Sequence, residues 1–487
     1  MTWSYLSTFV HAGLSLVVLS LLARLLTPED FGLIGLVLIF ADFAKQISVM
    51  GVGQAVIQVK NLTGKHIRVG FTFLFIMGIS MFALLWFTAP VIENYFNWQN
   101  LKSVLRVMGL SIIIGNFAGI SDSMLRRKLL FKEIMICNTV SYVIGYGIVG
   151  ITLALMKKGV WSLVFAVLVT RFVFAVMIFF MSPHSLKPLL GKKEFSQLIT
   201  LGGGFILGNT FNLVARQADS FIVGKLLGMN AYGIYNRAYH LTNLPINYFS
   251  EALARVLFPA MADIQEEKER LKKVYTRGVE LISSIGLPVS IFLFIAAPEI
   301  VGAILGDQWD RAVPILQILS LGIIFKIGNS LSNALNRAAG AVYRSAWRLF
   351  IYMILVIAGA AAGAAWGLPG VAVGILIAVL VNYTLLLHLS MKLVGMTFIE
   401  FIKCYLPSVR LSLFLVLIVF PCLYLLRHFN LPDWPRFLGA LAVGGFSLLL
   451  PLFLLPKKML GTALQWIFNE FNVKLPWPFN RLKNKFK

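Results

Sequence analysis

The chain has 487 residues, of which 59% are hydrophobic and 13% are charged, and its formal net charge is +23 at pH 7. A soluble domain carries about 25% charged residues, so this composition excludes a soluble globular protein and indicates a multi-span membrane protein. The three cysteines, Cys137, Cys404 and Cys422, are widely separated in or beside apolar stretches. They indicate neither a disulfide framework nor a metal site.

In chain order, about fourteen apolar stretches reach the length of roughly 20 residues that crosses a bilayer. Their centres lie near residues 13, 44, 80, 112, 143, 171, 210, 245, 290, 322, 355, 381, 416 and 446. The connections between them are short, so no soluble domain is inserted. The sequence therefore predicts an all-α integral membrane protein with about fourteen transmembrane helices.

Lysine and arginine are concentrated in alternate loops, which gives the positive-inside asymmetry of a multi-pass protein. This pattern places both termini in the cytoplasm; the outward pair Lys157 and Lys158 argues against it. Anionic lipid explains the net charge better than nucleic acid, so no nucleic-acid partner is expected. The last residues, 457–487, mix aromatic and basic side chains, which predicts an amphipathic cytoplasmic tail on the inner leaflet.

The stretch Leu22–Gln58 contains a polar turn, Thr27-Pro28-Glu29-Asp30, between two long apolar segments. Proline at a helix start and acidic residues in the first turn predict that a helix begins there. About 200 residues later the pattern returns in Val223–Gly233, which aligns with Leu22–Gly32. Both stretches contain, in order, a cation, two leucines, a turn, an aromatic residue and a glycine. This similarity predicts a duplicated architecture with parallel six-helix repeats.

The predicted segments follow from this repeat. They are a six-helix lobe at 1–182, a cytoplasmic linker at 183–195, a second six-helix lobe at 196–393, two further transmembrane helices at 394–456 and the tail at 457–487.

Residues 23–58, ARLLTPEDFGLIGLVLIFADFAKQISVMGVGQAVIQ, resemble the signature of Wzx-type polysaccharide exporters. These belong to the superfamily of multidrug, oligosaccharidyl-lipid and polysaccharide exporters, and the colanic-acid-exporter-like branch looks most similar. The resemblance implies a MATE-like fold with two pseudo-symmetric lobes, a central cavity and alternating access. It implies a flippase of the cell inner membrane that moves undecaprenyl-diphosphate-linked oligosaccharide repeat units to the outer leaflet for surface polysaccharide assembly. Membrane lipids and polysaccharide polymerase and co-polymerase proteins are the expected partners, and no cofactor is expected.

Ionisable residues inside apolar spans are the candidates for substrate contact, since charge is costly in hydrocarbon. A diphosphate needs cations, and sugars need hydrogen-bonding groups along a hydrated path. The candidate cations are Arg171, Arg216, Lys326, Lys45 and Arg237. Arg171 and Lys326 have no acidic partner on their own helix. The candidate glycan contacts are Asn209, Asn212, Asn243, Asn247 and Tyr239, and the candidates for ion coupling or gating are Asp42, Asp219, Glu251 and Arg255.

Structural roles compete with each of these assignments. Two acid–base pairs, Arg216 with Asp219 and Asp42 with Lys45, have the i,i+3 spacing of helix ion pairs. Glu251 and Arg255 fit a gating salt bridge at i,i+4. Any single asparagine can join helices rather than bind sugar, and tyrosine can anchor at the membrane interface.

Three other functions remain open from the sequence. A cation-coupled drug extruder of the same fold should prefer an acidic cavity, whereas the unpaired intramembrane charges here are mostly basic. A membrane scaffold for polysaccharide synthesis enzymes would depend on the loops and the basic tail. An enzyme acting on the glycan would need a catalytic constellation; the scattered histidines and the lack of a nucleotide motif indicate none, and no metal site is predicted.

Overall fold

The computed structural model describes the backbone of residues 2–429 and 431–454 and most of their side chains. The side chains that it leaves out are those of 2–12, 201–216, 248, 251–256, 258, 259, 342, 343, 449 and 451–454. Within the described backbone the chain is helical and has no β-strand, which confirms the all-α prediction. The predicted tail at 457–487 lies outside the described residues.

Seventeen α-helices occur in the described ranges, α1 Thr2–Leu25, α2 Pro28–Val49, α3 Val52–Gln58, α4 Gly64–Phe96, α5 Leu101–Arg127, α6 Phe131–Tyr142, α7 Ile151–Leu155, α8 Val160–Met181, α9 Lys192–Asp263, α10 Lys268–Ile295, α11 Ala297–Ile304, α12 Val313–Ser320, α13 Ile323–Ala338, α14 Val342–Gly363, α15 Gly367–Val394, α16 Phe398–His428 and α17 Asp433–Leu454. A π-helix, Val143–Gly150, joins α6 to α7, and 3₁₀ turns occupy Asp307–Ala312 and Ala364–Trp366.

Length and composition alone qualify eight helical segments in the described residues as membrane spans, or nine if the bent pair Asp307–Ser320 and Ile323–Ala338 is one span. All but one of the predicted span centres lie inside a helix, and the exception, near residue 322, lies at the bend between α12 and α13. The protein is therefore a multi-pass membrane protein, and the predicted number of about fourteen spans is approximate.

The predicted turn at Thr27 is confirmed as the start of α2. The backbone N–H of Asp30 donates to Thr27 Oγ1 at 3.3 Å, and the backbone N–H of Thr27 donates to Asp30 Oδ2 at 3.0 Å. This reciprocal capping box satisfies two N–H groups that a helix start would leave without partners. Pro28 fills the first helical position, where no N–H is needed.

The long apolar segment after this turn is two helices rather than one. Met50 and Gly51 both adopt left-handed backbone angles, with φ of 41° and 71°, and end α2. The short α3 follows. Arg127, at the end of α5, donates from Nη1 to the carbonyl oxygens of Val56 at 2.9 Å and Val59 at 2.6 Å. A single arginine thus caps the C-terminal end of α3, where the last carbonyls lack helical partners.

The second copy of the repeat breaks at the equivalent position. Within α9, Gly228 has φ 86° and ψ 179°, which are not helical angles. In the sequence alignment Gly228 corresponds to Thr27, so both copies change direction at the same place. Glycine is suited to this position because it adopts a positive φ without a steric cost.

The chain forms two compact units. Of the described residues, the first contains those up to Asn236 together with Ile304–Gln308, and the second contains Arg237–Ala303 together with those from Trp309 onward. The first unit therefore contains segments from both predicted lobes, whose boundaries were drawn from the repeat and remain a prediction.

In the first unit the aligned segments of the two repeats cross in backbone contact. A Cβ atom built on Gly233 would lie 2.7 Å from the carbonyl carbon of Pro28, and one built on Gly32 would lie 3.0 Å from that of Met229. Since Met229 aligns with Pro28 and Gly233 with Gly32, the contact is reciprocal. Paired small residues allow membrane helices to approach this closely.

Several connections between helices lie together at one end of the first unit. The ammonium of Lys225 lies 4.2 Å from the ring centre of Tyr95 and donates to its carbonyl oxygen. The side chain of Gln308 donates to the carbonyl oxygen of Leu26 at 3.1 Å. The connections after the predicted first, third, seventh and ninth spans are thus brought together, as strict alternation of spans across a membrane requires.

The second unit has an apolar core between α10, α13, α15 and α16, with Leu331 and Tyr383 among its buried members. Tyr383 and Tyr405 share a hydrogen bond of 2.7 Å between their hydroxyls. Elsewhere in the second unit, Arg427 donates two hydrogen bonds to the carboxylate of Glu299, of 2.6 and 3.0 Å. The Glu299 side chain is only 2% exposed. This bidentate pair fastens α16 to α11.

We predict that Gly233→Ala lowers the apparent melting temperature of the detergent-purified protein by several degrees. The added methyl group must displace the backbone of Pro28, and overpacking costs about 1–3 kcal/mol. The matched control is Gly445→Ala, because a Cβ at Gly445 has no neighbour within 4 Å. Equal melting temperatures for the two variants would contradict the close crossing.

We also predict that Arg127→Lys destabilises the protein although the charge is retained. A lysine ammonium cannot reproduce the planar array of guanidinium donors, and each hydrogen bond to a charged group contributes about 1.5–3 kcal/mol. The neighbouring control is Arg126→Lys, since Arg126 is 46% exposed and forms an ion pair of 2.9 Å with Asp122 on the helix surface. The apparent melting temperatures of the two variants would be compared by static light scattering during heating. A larger decrease in melting temperature for Arg126→Lys than for Arg127→Lys would refute the cap.

Candidate functional site

An ion pair joins α8 to α2 inside the first unit. Arg171 Nη2 donates to Asp42 Oδ1 at 3.1 Å, and the two side chains are 21% and 49% exposed. Arg171 therefore has an acidic partner, although none lies on its own helix. The partner lies 129 residues away on another helix, so helical spacing could not reveal it.

Lys45 lies one helical turn after Asp42 and is partly buried. Among the described residues it forms no hydrogen bond or ion pair, although the charges of Arg171, Asp42 and Asp122 act on it electrostatically. The expected i,i+3 pair of Asp42 with Lys45 is replaced by the bond between Asp42 and Arg171. A Cβ at Gly115 would lie 3.4 Å from Lys45 Cε, so the lysine stem lies along α5 at a position that has no side chain.

The π-helix contacts α8 at Thr170, the residue before Arg171, and so helps to position Arg171. A Cβ on Gly145 would lie 2.7 Å from the backbone nitrogen of Thr170 and 2.6 Å from the carbonyl oxygen of Ala166. The backbones of the π-helix and α8 therefore touch one residue before Arg171. π-helical segments are uncommon and often occur beside functional residues. The glycines at 145 and 150 were the only sequence signal for this contact.

In the second unit Lys326 of α13 lies over an aromatic ring. Its ammonium is 4.5 Å from the ring centre of Tyr239, the distance of a cation–π interaction. Asn243 and Asn247 follow Tyr239 at intervals of four, so the three side chains share one face of α9. Asn243 is partly buried and Asn247 is exposed. The structure thus brings Lys326 to the face that carries the predicted glycan contacts of this segment.

Asp219 has a different environment from Asp42. It is 3% exposed and accepts a 2.7 Å hydrogen bond from the hydroxyl of Tyr235, beyond the break at Gly228. Tyr235 is itself fully buried. This geometry holds the two arms of the broken helix together and favours a structural role for Asp219. Arg237 is partly buried at the start of the second unit.

Five of the predicted site residues have side chains outside the described part of the structure. They are Arg216, Asn209, Asn212, Glu251 and Arg255. Among the side chains that are described, no group of three or more His, Cys, Asp or Glu residues could hold a metal ion. The described candidates comprise the cations Lys45, Arg171, Lys326 and Arg237, the carboxylates of Asp42 and Asp219, and the neutral side chains of Tyr239, Asn243 and Asn247.

Comparison with known proteins places the chain in a family. The family model described as polysaccharide biosynthesis protein matches residues 21–314, more than half of the chain. An uncharacterized membrane protein in the cps region of Klebsiella pneumoniae is 23% identical over 97% of both chains. The lipopolysaccharide biosynthesis protein WzxC of Escherichia coli K12 is 22% identical over 80% of both chains. These matches confirm the resemblance to Wzx-type exporters.

Solved structures identify the fold. Lipid II flippase MurJ in its inward closed conformation superposes with a TM-score of 0.72 at 16% identity, covering 97% of this chain and 99% of the other. An inward-facing multidrug resistance MATE family transporter of the MOP superfamily gives a TM-score of 0.63 at 16% identity, covering 78% and 94%. The MATE-like fold prediction is thereby confirmed, and the chain belongs to the polysaccharide biosynthesis protein family.

Proposed function

We propose that this protein is a flippase that moves undecaprenyl-diphosphate-linked oligosaccharide repeat units from the inner to the outer leaflet of the cell inner membrane, for surface polysaccharide assembly. The observation that carries the proposal is the set of cations on membrane-spanning helices. Lys45 has no bonded partner among the described residues, and Arg171 has one bond to a half-exposed carboxylate. Charge placed there is costly unless it serves a ligand or a partner.

The diphosphate is the part of the substrate that these cations fit. A guanidinium donates two parallel N–H groups to phosphate oxygens, and a lysine adds a mobile point charge. Lys45 and Arg171 lie on facing helices of the first unit. Together they provide both kinds of donor for one anionic group, while Lys326 adds a cation in the second unit.

The glycan requires neutral hydrogen-bonding groups. Tyr239, Asn243 and Asn247 present a hydroxyl and two amides along one face of α9. Such groups exchange bonds with sugar hydroxyls at little net cost, which suits a path that must release its cargo. Asn209 and Asn212 remain proposed contacts on sequence grounds.

The names of related proteins support a lipid-linked saccharide as cargo. WzxC is named for lipopolysaccharide biosynthesis, and MurJ is named a flippase of lipid II. We extend this class of cargo to the present chain and propose that both termini are cytoplasmic. Polysaccharide polymerase and co-polymerase proteins are the proposed partners that consume the flipped repeat unit, and the protein itself performs no covalent chemistry.

Transport would proceed by alternating access, in which the predicted lobes 1–182 and 196–393 rock about the bound substrate. The repeat supports this mechanism, because two similar lobes can move against each other as rigid bodies around a bound substrate. The undecaprenyl tail would remain in the lipid, so only the diphosphate and the glycan need a hydrated route.

A cation-coupled drug extruder is the rival function with the same fold. The MATE neighbours share the fold at 16% identity, which does not establish a shared substrate. Basic side chains at Lys45, Arg171 and Lys326 would repel a cationic drug. A membrane scaffold is the second rival, and it makes no use of cations inside the spans.

We predict that Arg171→Ala and Lys45→Ala, introduced singly in the chromosome, cause the complete lipid-linked repeat unit to accumulate and surface polysaccharide to fall. Removing a cation that pairs with a phosphate group of the bound substrate should cost about 2 kcal/mol or more, so transport should decrease by about 30-fold. Mass spectrometry of extracted polyprenyl-diphosphate glycans measures the accumulation, and immunoblotting with matched expression levels excludes loss of protein.

The matched control is Arg106→Ala. Arg106 also lies on a membrane-spanning helix, but its guanidinium rests on the ring of Trp86 at 4.7 Å and donates to the carbonyl oxygen of that residue. It should leave the glycan pool unchanged. Normal surface polysaccharide in all three variants, together with impaired growth on cationic drugs in Arg171→Ala, would favour the extruder instead.

A further inference from the structure

The ion pair of Arg171 with Asp42 is built differently from the structural ion pair of the second unit. Arg427 makes two bonds to Glu299, whose side chain is 2% exposed. Arg171 makes one bond of 3.1 Å to Asp42, whose side chain is 49% exposed. The first arrangement is bidentate and its carboxylate is buried, whereas the second has a single bond and its carboxylate is half exposed.

The guanidinium of Arg171 retains an unused donor. Its Nη1 atom is buried and has no hydrogen-bond partner among the described residues. A buried donor without a partner is costly, and guanidinium N–H groups form the strongest bonds when two act together on one anion. The site around Arg171 is therefore incomplete when only Asp42 occupies it.

The surrounding charges also favour a second anion. Lys45 forms no hydrogen bond or ion pair within the described residues and lies near Arg171, Asp42 and Asp122. Asp122 is already bound to Arg126 at 2.9 Å. Asp42 thus serves two nearby cations with one charge, which leaves this part of the first unit short of negative charge.

We propose that Asp42 is an exchangeable counterion, which occupies Arg171 while the site is empty and gives way to a phosphate group of the substrate. This inference rests on the proposed function and adds a role for Asp42 in release. An incoming diphosphate would engage both Nη atoms of Arg171 and the ammonium of Lys45. After translocation Asp42 recaptures Arg171, so the substrate leaves an ion pair behind rather than an uncompensated charge.

The consequence is an affinity kept low enough for turnover. A carrier site must bind strongly enough to load and weakly enough to unload. Because the substrate must displace Asp42 from Arg171, the free energy of that ion pair is subtracted from the free energy of substrate binding. Removing this competitor should therefore tighten binding and slow release, which is the opposite of the result expected for a residue that contacts the substrate.

The test compares Asp42→Asn with the unmodified full-length protein in detergent, with inorganic pyrophosphate as the probe in isothermal titration calorimetry. Asparagine keeps the size of the side chain and removes its charge. The dissociation constant should fall by about tenfold, the size of one close charge–charge coupling. In reconstituted vesicles the same variant should show a lower half-saturating substrate concentration and a lower maximal flipping rate. A structural role would not produce this combination.

Two further variants sharpen the comparison. Asp122→Asn removes the same charge near Lys45 without touching the partner of Arg171, and its dissociation constant should stay within about twofold of the original. Asp42→Glu keeps the charge and should bind pyrophosphate with nearly the original affinity. If Asp42→Asn fails to purify as a monodisperse protein, Asp42→Ser replaces it with the same expectation.

The outcomes separate this inference from the proposed function. Unchanged or weaker binding in Asp42→Asn overturns the counterion role, as does equal tightening in Asp122→Asn. Unchanged binding in Arg171→Ala overturns the phosphate site itself, and with it both proposals. Undecaprenyl diphosphate in mixed micelles should compete with pyrophosphate; equal competition by phosphatidylglycerol would assign the site to bulk lipid and contradict exchange with the carrier.

Discussion

A charged side chain within a membrane-spanning helix must be compensated by an opposite charge, by hydrogen bonds or by water, and this constraint governs the arrangement around Arg171. Asp42 supplies a charge from α2, and the backbone contact between Gly145 and Thr170 fixes α8 at the residue before Arg171. The compensation is partial, because one guanidinium nitrogen remains without a partner among the described atoms. We propose that an anionic group of the substrate supplies the missing partner.

The helices that carry these charges depend on a second constraint, the approach of backbone to backbone. Gly32 and Gly233 meet in the first unit with no room for a side chain on either. Because they occupy equivalent positions in the two copies of the repeat, the contact is built from one sequence pattern used twice. The breaks at Thr27 and Gly228 direct both copies toward this crossing. The residues that reveal the repeat are therefore also the residues that make the close helix contact.

Much of this fold could be predicted from local sequence, because its determinants are local. The capping box at Thr27 follows from residue types three positions apart, and the membrane spans follow from hydropathy. The pairing of Arg171 with Asp42 could not be predicted, since it depends on which helices are neighbours. The cap provided by Arg127 was also missed, because a basic residue at a helix end is equally expected from membrane topology. The candidate site thus remains a prediction, to which the structure adds partners that the sequence did not reveal.

The most direct measurement reconstitutes the purified protein in vesicles with a fluorescent polyprenyl-diphosphate oligosaccharide and follows the leaflet position of the label with a membrane-impermeant quencher. We predict that the labelled glycolipid redistributes between leaflets only when the protein is present, and that its mass is unchanged afterwards. Redistribution at the rate of protein-free vesicles, or a change in the mass of the glycolipid, would contradict the central claim that this chain moves a lipid-linked glycan intact.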